Sequence, residues 1–590
     1  MAPSRERLLF LLLAALAGLY VVLRAALVPW VHDECASLFW FVERGEYLPW
    51  KAHWDANNHV LSSAIGTAVY RVAGLGLFAS RIGSVLAFVA YAWAAYHLGR
   101  RLQEPLVRWC LWAALLACPF VIEFFSLFRG YGLELAFWLV ALEGLLRLVG
   151  EWRTRDLVIT LAALFLANAA VLALLPIWAL IVAALTFIFL GRWRSLAMGA
   201  RVGQSIGLVL LGLAPLIVGA LIALELRERG LLYHGGTEGF RVVTVSSLLH
   251  YTFAAEGLLA HLLVGALAVL ALLPLLIPGE KRGPLLVLAL VLWAEVFARI
   301  GMAQWLGVNY PKDRAAIHLV PLFVLMLAYA LDVAARRRAV LRWGALVLLA
   351  FPLRTLATLN TSITSIWPEQ SVPPELLERM AVPDGAPPPI IGAYHQFQLV
   401  VPYGARVHGL KVPPLHWADF PHGAYDLLLL DERVGETDRA GFDIMARTPL
   451  NGLVLMERER PLHWIAETAY DFADPDPQQE FVELWRGDTL TDGLDRVLEV
   501  VGRLGSAGGF AAPELVSTVK GPAGDLYYQP IPFALERPVW NGEQFSRRIL
   551  VPAKPEATSR VVYIWNVHRQ PLYFEQLKIT VSRGPLDTLR

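Results

Sequence analysis

Up to residue 356 the chain runs in long apolar stretches; beyond it the apolar runs are short and broken by turn residues. Stretches of ~20 apolar residues match the hydrocarbon core of a bilayer. The first is LLFLLLAALAGLYVVL (8–23), and others fall near 81–99, 106–121, 131–149, 157–173, 175–190, 203–225, 258–278, 284–302, 315–333 and 340–356. The pattern therefore predicts eleven spans. Residues 157–190 are divided at Pro176, because one helix of that length would reach about 50 Å at ~1.5 Å per residue. The opening MAPSRER plus its apolar run resembles a secretory signal. That run is too long for one and no small-residue cleavage site follows it, so a retained helix is expected.

Residues 59–78 (HVLSSAIGTAVYRVAGLGLF) would make a twelfth span, and charge decides against it. Cytoplasmic loops carry the excess of Lys and Arg. With 59–78 kept outside, six clusters share one side: Arg5/Arg7, Arg100/Arg101/Arg108, Arg153/Arg155, Arg192/Arg194/Arg201, Lys281/Arg282 and Arg336/Arg337/Arg338/Arg342. Residues 59–78 are thus expected to form a helix on the outer surface. The N-terminus is then cytoplasmic, and the outside receives 29–80, 121–130, 226–257, 303–314 and the tail. For a bacterium this is the inner membrane with a periplasmic C-terminal region.

Composition agrees. Of 590 residues 56% are hydrophobic and 17% charged, against about 25% charged in ordinary soluble domains; the mean hydropathy is +0.51. A net charge of +1 without a basic stripe excludes a nucleic-acid partner. Cys35, Cys110 and Cys118 all precede residue 357, so no disulfide staples the tail. The expected architecture is a polytopic α-helical membrane protein with about eleven transmembrane helices (1–356, including a first outer loop at 29–80). A linker follows at 357–389, stiffened by VPDGAPPP (382–389), then a small α/β subdomain (390–474) and a β-sandwich-like subdomain (475–590). Trp540, Trp565 and Tyr573 are candidates for stacking on sugars or for sandwich core; Asn360-Thr361-Ser362 matches a glycosylation sequon.

The candidate chemistry lies in the outer loops. His32-Asp33-Glu34 follows the first span directly. An acidic pair at a helix mouth is costly unless it faces water or a cation, and a carboxylate there can act as a general base; alternatively the pair only ends the helix in water. Segment 35–44 fits a short interfacial helix, with Trp40, Trp50 and Trp54 at headgroup level. His53, Asp55, Asn57, Asn58 and His59 form a second polar group, open to sugar hydrogen bonding, to loop solvation or to a divalent metal, although the spacing matches no compact metal motif. Glu123, Arg129 and Tyr131 mark the second outer loop, and Tyr310, Lys312 and Arg314 the fourth. These cations break the cytoplasmic bias, so they either clamp a lipid phosphate or snorkel to anionic headgroups. His318, Glu134 and Glu143 are ionisable residues within spans, functional by default or satisfied by packing.

This arrangement resembles the GT-C glycosyltransferases, in particular the protein O-mannosyltransferase and lipid A aminoarabinose transferase group. Four motifs carry the resemblance in order: HDE (32–34), NNHVLSSAIGTAVYRVAGLGLFASRIGS (57–84), Ser-x-x-Arg-x-Tyr (126–131) and YPKDRAAIHLVPLF (310–323). It covers roughly residues 1–356, and each motif is short; the order and the shared outer location make the match. The resemblance implies an inverting transferase whose donor sugar rides on a polyprenyl monophosphate and whose acceptor is a glycan, lipid or protein. It maps the catalytic carboxylate onto Asp33, with Glu34 beside it for orientation or acceptor binding. Donor phosphate binding falls on Arg129, Tyr310, Lys312 and Arg314, and substrate contacts on His32, His53, Asp55, Asn57, Asn58, His59, Glu123, Tyr131 and His318. It fixes no cofactor and leaves a divalent metal open. Two departures stand out: Asn58-His59 occupies the place of a Lys-Pro seen in some relatives, and the tail matches no ectodomain of the family. A flippase or transporter of lipid-linked glycan, a ligase of diphosphate-linked glycan, and a non-enzymatic scaffold displaying the tail are the competing functions. A transporter predicts polar residues spread along the midplane of several spans and repeat symmetry; here they gather at outer ends.

Overall fold

The computed structural model describes residues 3–276, 283–383 and 387–586, apart from 422, 436, 438, 450, 473–475, 477–478, 488–492, 507–512, 534–540, 568 and 570. Trp540 and residues 384–386 of the Pro-rich stretch thus lie outside the described residues. The chain forms two units: Met1–Val28 with Gly45–Ile366, and Pro29–Arg44 with Trp367–Arg590.

The first unit is helical, and every predicted span falls on a helix. Among the described residues six helices are long and apolar enough to cross a membrane: Ser4–Leu27, Leu77–Arg100, Leu172–Ser195, Met198–Glu228, Gly283–Leu306 and Ala339–Ala357. Arg241–Phe253 and Gly257–Leu272, bent by 111°, make a seventh if taken as one span. The helix Gly130–Gly150 is long enough but carries Glu134, Glu143 and Arg147, while Pro105–Leu116, Thr154–Ala170 and Leu319–Ala335 are short. This is a multi-pass membrane protein. The 59–78 stretch yields a separate helix, Val60–Ala73, about 21 Å long at ~1.5 Å per residue and ended by Gly74 at φ +70°.

Ion pairs join several of the helix ends. Glu6 pairs with Arg100 (3.2 Å) and Arg108; Glu143 pairs with Arg101 (3.2 Å) and Arg147 (2.7 Å). Asp332 accepts the Gln103 and Glu104 amides, both at 2.8 Å, and pairs with Arg336. The segments around Trp54, Arg229, Gly236 and Tyr310 also meet one another. Gly236 and Tyr310 form an antiparallel bridge, Arg229 lies 5.1 Å from the Trp54 ring, and Arg24, at the end of the first helix, bonds Glu123 (3.1 Å) and the Asn360 carbonyl (2.7 Å).

The second unit begins with a five-stranded sheet. Strands β1 (Ile391–Tyr394), β2 (Leu415–Ala418) and β3 (Leu427–Asp431) are parallel, β4 (Phe442–Arg447) and β5 (Leu453–Arg458) join antiparallel, and the order is β2-β1-β3-β5-β4. Helix Phe397–His408 connects β1 to β2. Continuous apolar runs such as LLLL (427–430) suit strands buried on both faces. Within the stretch 357–389 the chain forms helix Pro374–Met380, with Leu376, Leu377 and Met380 buried.

The sandwich packs two four-stranded sheets. One contains β7 (Phe481–Gly487), β9 (Glu514–Gly521), β10 (Gly524–Pro532) and β12 (Ser559–Trp565); the other contains β6 (His463–Asp471), β8 (Asp495–Ser506), β11 (Asn541–Val551) and β13 (Leu572–Leu586). Its first strand is β6, paired with β13, so the sandwich starts inside the stretch read as α/β. Alternating positions of β12, Val562 and Ile564 among them, fill the core. Trp565 is half-buried and stacks on Phe481 at 6.0 Å, and Tyr573 is exposed.

His416 in β2 joins the two parts. It is buried, its Nε2 accepts the Leu550 amide of β11 at 3.2 Å, and burial together with Arg548 pushes the imidazole down to about 3. The unfolded chain takes up that proton near pH ~6.5. The unfolded state therefore binds more protons between those pH values, and stability is full above the higher one and lost as pH falls. The expected loss is about 2 kcal/mol by pH ~5, read as faster hydrogen exchange at the Leu550 amide. Exchange unchanged between pH ~7.5 and ~5 after correction for the intrinsic rate would contradict this.

Candidate active site

The motif glycines and polar residues of the first unit have local work to do. Arg81 is fully buried and donates to the Val28 carbonyl at 2.7 Å and to the Ala25 carbonyl at 3.3 Å, a cation on the C-terminal end of the first helix. A Cβ on Gly83 would come within 2.9 Å of Ile65, so the glycine lets helix Leu77–Arg100 approach Val60–Ala73. Ser84 Oγ donates to the Arg129 carbonyl at 3.2 Å and so fixes the start of helix Gly130–Gly150.

Around that start the separate outer motifs meet. Arg129 is 1% exposed, its Nη2 donates to Asn57 Oδ1, and its guanidinium lies 5.9 Å from the Tyr131 ring. His59 packs edge-on against Tyr131 at 4.9 Å. A Cβ on Gly130 would come within 2.1 Å of the Ala170 carbonyl and 2.8 Å of His59, so no other residue fits there without displacing the histidine. The half-buried Asn57 thus joins the buried His59, Arg129 and Tyr131 in one polar cluster.

The fourth-loop residues are stitched to the third loop. Tyr310 is buried in the bridge with Gly236, and Thr244 Oγ1 donates to the Pro311 carbonyl at 2.6 Å. Asp313 holds a left-handed backbone (φ +45°), unusual for a non-glycine residue; its amide donates to Ser247 Oγ at 2.8 Å and its carboxylate takes His234 at 3.3 Å. Lys312 is exposed and Arg314 half-buried, 3.6 Å from Asp313.

Other predicted residues are committed elsewhere. Asp55 accepts the Asn57 amide at 2.8 Å, an Asx turn. Asn58 donates to the Tyr47 carbonyl (3.0 Å) and accepts from Ser63 (3.2 Å). Glu123 is taken up by Arg24 and by the Ser365 amide at 2.7 Å. His53 is exposed. Among the described residues no group of three or more His, Cys, Asp or Glu side chains is placed to hold a metal ion, and His53, Asp55 and His59 make no such set.

His318 belongs to a buried network that sequence reasoning saw only in part. Its Nδ1 lies 3.3 Å from Glu134 and its Nε2 3.1 Å from Glu295, while Glu295 takes Arg299 Nε at 2.7 Å. Arg299 also donates to the Ala173 carbonyl. A carboxylate only accepts and a neutral imidazole donates once. The Nε2–Glu295 contact is a hydrogen bond, whereas Glu134 stands at ion-pair distance from Nδ1, so two carboxylates, one imidazole and one guanidinium share one buried set. Glu295 and Arg299 lie four residues apart in an apolar run, the one signal that pairs them.

The HDE motif sits in the second unit. Helix His32–Ser37 continues through a π-helical turn, Leu38–Val42, that buries Phe39 and Phe41. It packs on helix Phe397–His408. Trp30 stacks on Tyr403 at 4.1 Å and 4°, and Arg406 grips Glu43 through two bonds of 2.6 and 3.2 Å. Glu34 is fully buried and its Oε2 accepts the Val31 amide at 3.2 Å, the returning half of a capping box. Asp33 is half-buried on the next position. The His32 amide donates to Gln370 Oε1 at 2.9 Å, and its Nδ1 meets the Gln396 carbonyl at 3.2 Å. Nothing in the sequence pairs residues 29–44 with a helix so far along the chain. Cys35 lies in this segment, is buried and is in no disulfide among the described residues.

Fold and charged ends define a polytopic helical membrane protein with a β-rich C-terminal unit. No family model and no curated protein matches the chain. Among solved structures it is similar to ArnT from Cupriavidus metallidurans in the apo state, at 13% identity over 77% of this chain and 98% of that one, TM-score 0.42. The same protein bound to undecaprenyl phosphate aligns at 14% identity, 77% and 98% coverage and TM-score 0.41. The arabinosyltransferase EmbB from Mycobacterium smegmatis aligns at 13% identity over 99% of this chain and 65% of that one, TM-score 0.36.

Proposed function

We propose that this protein is an inverting glycosyltransferase of the bacterial inner membrane, with a cytoplasmic N-terminus and a periplasmic tail. It moves a sugar from a polyprenyl-monophosphate donor to an extracytoplasmic acceptor. The observation that carries this reading is the buried Arg129, held with Asn57, His59 and Tyr131 by two different outer loops. A fixed guanidinium in a low-dielectric setting suits a phosphate leaving group. Lys312 and Arg314 add charge, and Tyr310 adds a hydroxyl. Asp33 accepts the acceptor's hydroxyl proton while that oxygen bonds to the anomeric carbon and the sugar–phosphate bond breaks on the opposite face. Polyprenyl phosphate leaves, and the anomeric centre is inverted. Glu34 has a structural duty at the helix start, which favours Asp33 as the base.

The test is release of polyprenyl phosphate by purified protein in lipid, supplied with a panel of polyprenyl-phosphate sugars and a crude envelope fraction as acceptor. Release supports the reading. No release with any monophosphate donor overturns it and leaves a ligase of diphosphate-linked glycan, or transport. Arg129→Lys keeps the charge and loses the fork, so the donor KM is expected to rise about ten- to a hundredfold. An unchanged donor KM would take Arg129 off the phosphate.

A further inference from the structure

Ligands of open α/β sheets bind at the carboxyl ends of the parallel strands. In this tail that end carries an organised and accessible set of side chains. His395 follows β1 directly, and its amide donates to the Ala418 carbonyl at 3.0 Å, which joins the ends of β1 and β2. Trp417, at the end of β2, meets the His395 ring edge-on at 4.8 Å. Gln398 Nε2 lies 2.9 Å from His395 Nε2. Asp419 is exposed one residue beyond β2, and its carboxylate opposes the downward shift that burial imposes on His395. His32 closes the set, with its ring 5.7 Å from that of His395. The residue preceding Asp33 therefore stands at the carboxyl ends of β1 and β2. One half-buried indole ringed by planar polar groups matches what a pyranose offers, an apolar face bordered by hydroxyls.

We propose that this edge is the acceptor subsite. A hydroxyl-bearing sugar ring stacks on Trp417, hydrogen-bonds with His395, Gln398 and Asp419, and is held beside His32 so that its nucleophilic hydroxyl reaches Asp33. The proposal rests on the reading of Asp33 as base and adds that the acceptor is a glycan recognised by the tail unit. His32 is the link: its backbone and ring are fixed by Gln370 and Gln396, so the edge and the base share one rigid segment.

Full-length protein in lipid nanodiscs is passed over an array of defined envelope-type oligosaccharides containing hexoses, N-acetylhexosamines and uronic acids, with Ser/Thr-rich peptides alongside. Wild type and Asp33→Asn are expected to bind at least one oligosaccharide class. Trp417→Ala and Gln398→Ala bind it at least tenfold more weakly, with melting temperatures near that of wild type. Gln398 is on the surface of its helix, so that variant keeps the test open if Trp417→Ala is unstable. Equal binding by Gln398→Ala and wild type, no oligosaccharide bound by wild type, or capture of peptides alone each overturns the subsite. The enzymatic reading fails differently. If oligosaccharide binding tracks Trp417 and Gln398 but no monophosphate donor is ever turned over, the edge stands and the transferase does not.

Discussion

Asp33→Asn is expected to lower transfer about a hundred- to ten-thousandfold, the usual contribution of a positioned general base, while the affinity for the lipid-phosphate donor stays within about twofold. The amide is isosteric and still accepts and donates hydrogen bonds, so the helix start should persist; Ser37 Oγ, for example, bonds the Asp33 carbonyl rather than its side chain, at 3.0 Å. Glu34→Gln should behave otherwise. Its carboxylate serves the Val31 amide from a fully buried position, which predicts lower thermal stability together with partial activity. Initial rates with saturating donor, paired with donor titrations, separate the two. Full turnover by Asp33→Asn would remove that residue from the chemistry.

Arg299→Met is expected to destabilise the first unit by about 3–5 kcal/mol, because it strips the cation from a buried set that also holds two carboxyl groups. Glu295, Glu134 and His318 would remain buried without it. The double variant Arg299→Met with Glu295→Leu should recover most of the loss, since a charge pair replaced by apolar side chains of similar volume is close to neutral. Detergent-resistance melts of both variants check this. A single variant as stable as wild type would mean that Arg299 does not compensate the buried carboxyl groups.

Much of the first unit was legible because a bilayer imposes one simple rule on sequence. The apolar runs lie on helices, some of them divided, and the stretch 59–78 gives a separate 14-residue helix, Val60–Ala73. Within spans, His318 and Glu134 were flagged by their cost alone; what the pattern hid was that Glu295 and Arg299 share the same buried set, because partners on different helices leave no mark in periodicity. Among the loops, Asn57, His59, Arg129 and Tyr131 were marked individually, and their convergence depended on Gly130 permitting the approach of His59. Least legible was the fate of the HDE segment. Its local pattern says short amphipathic helix, and its partners Tyr403 and Arg406 sit in a tail helix whose own pattern gives no hint of a missing neighbour. The strand His463–Asp471 was placed with the α/β part because a strand carries no label for the sheet it will join.

The association of residues 29–44 with the tail has a consequence for biosynthesis. The unit that holds them is discontinuous: its first piece leaves the ribosome about 350 residues before Phe397–His408, with most of the helical unit made in between. At ~5–20 residues per second that interval is roughly 20–70 s, during which Trp30 lacks its stacking with Tyr403 and Glu43 its pairing with Arg406. The segment 29–44 therefore waits through that interval for its partners in helix Phe397–His408. The tail produced without that loop would present Tyr403 and Arg406 to solvent, and its folding would be incomplete until residues 29–44 were supplied.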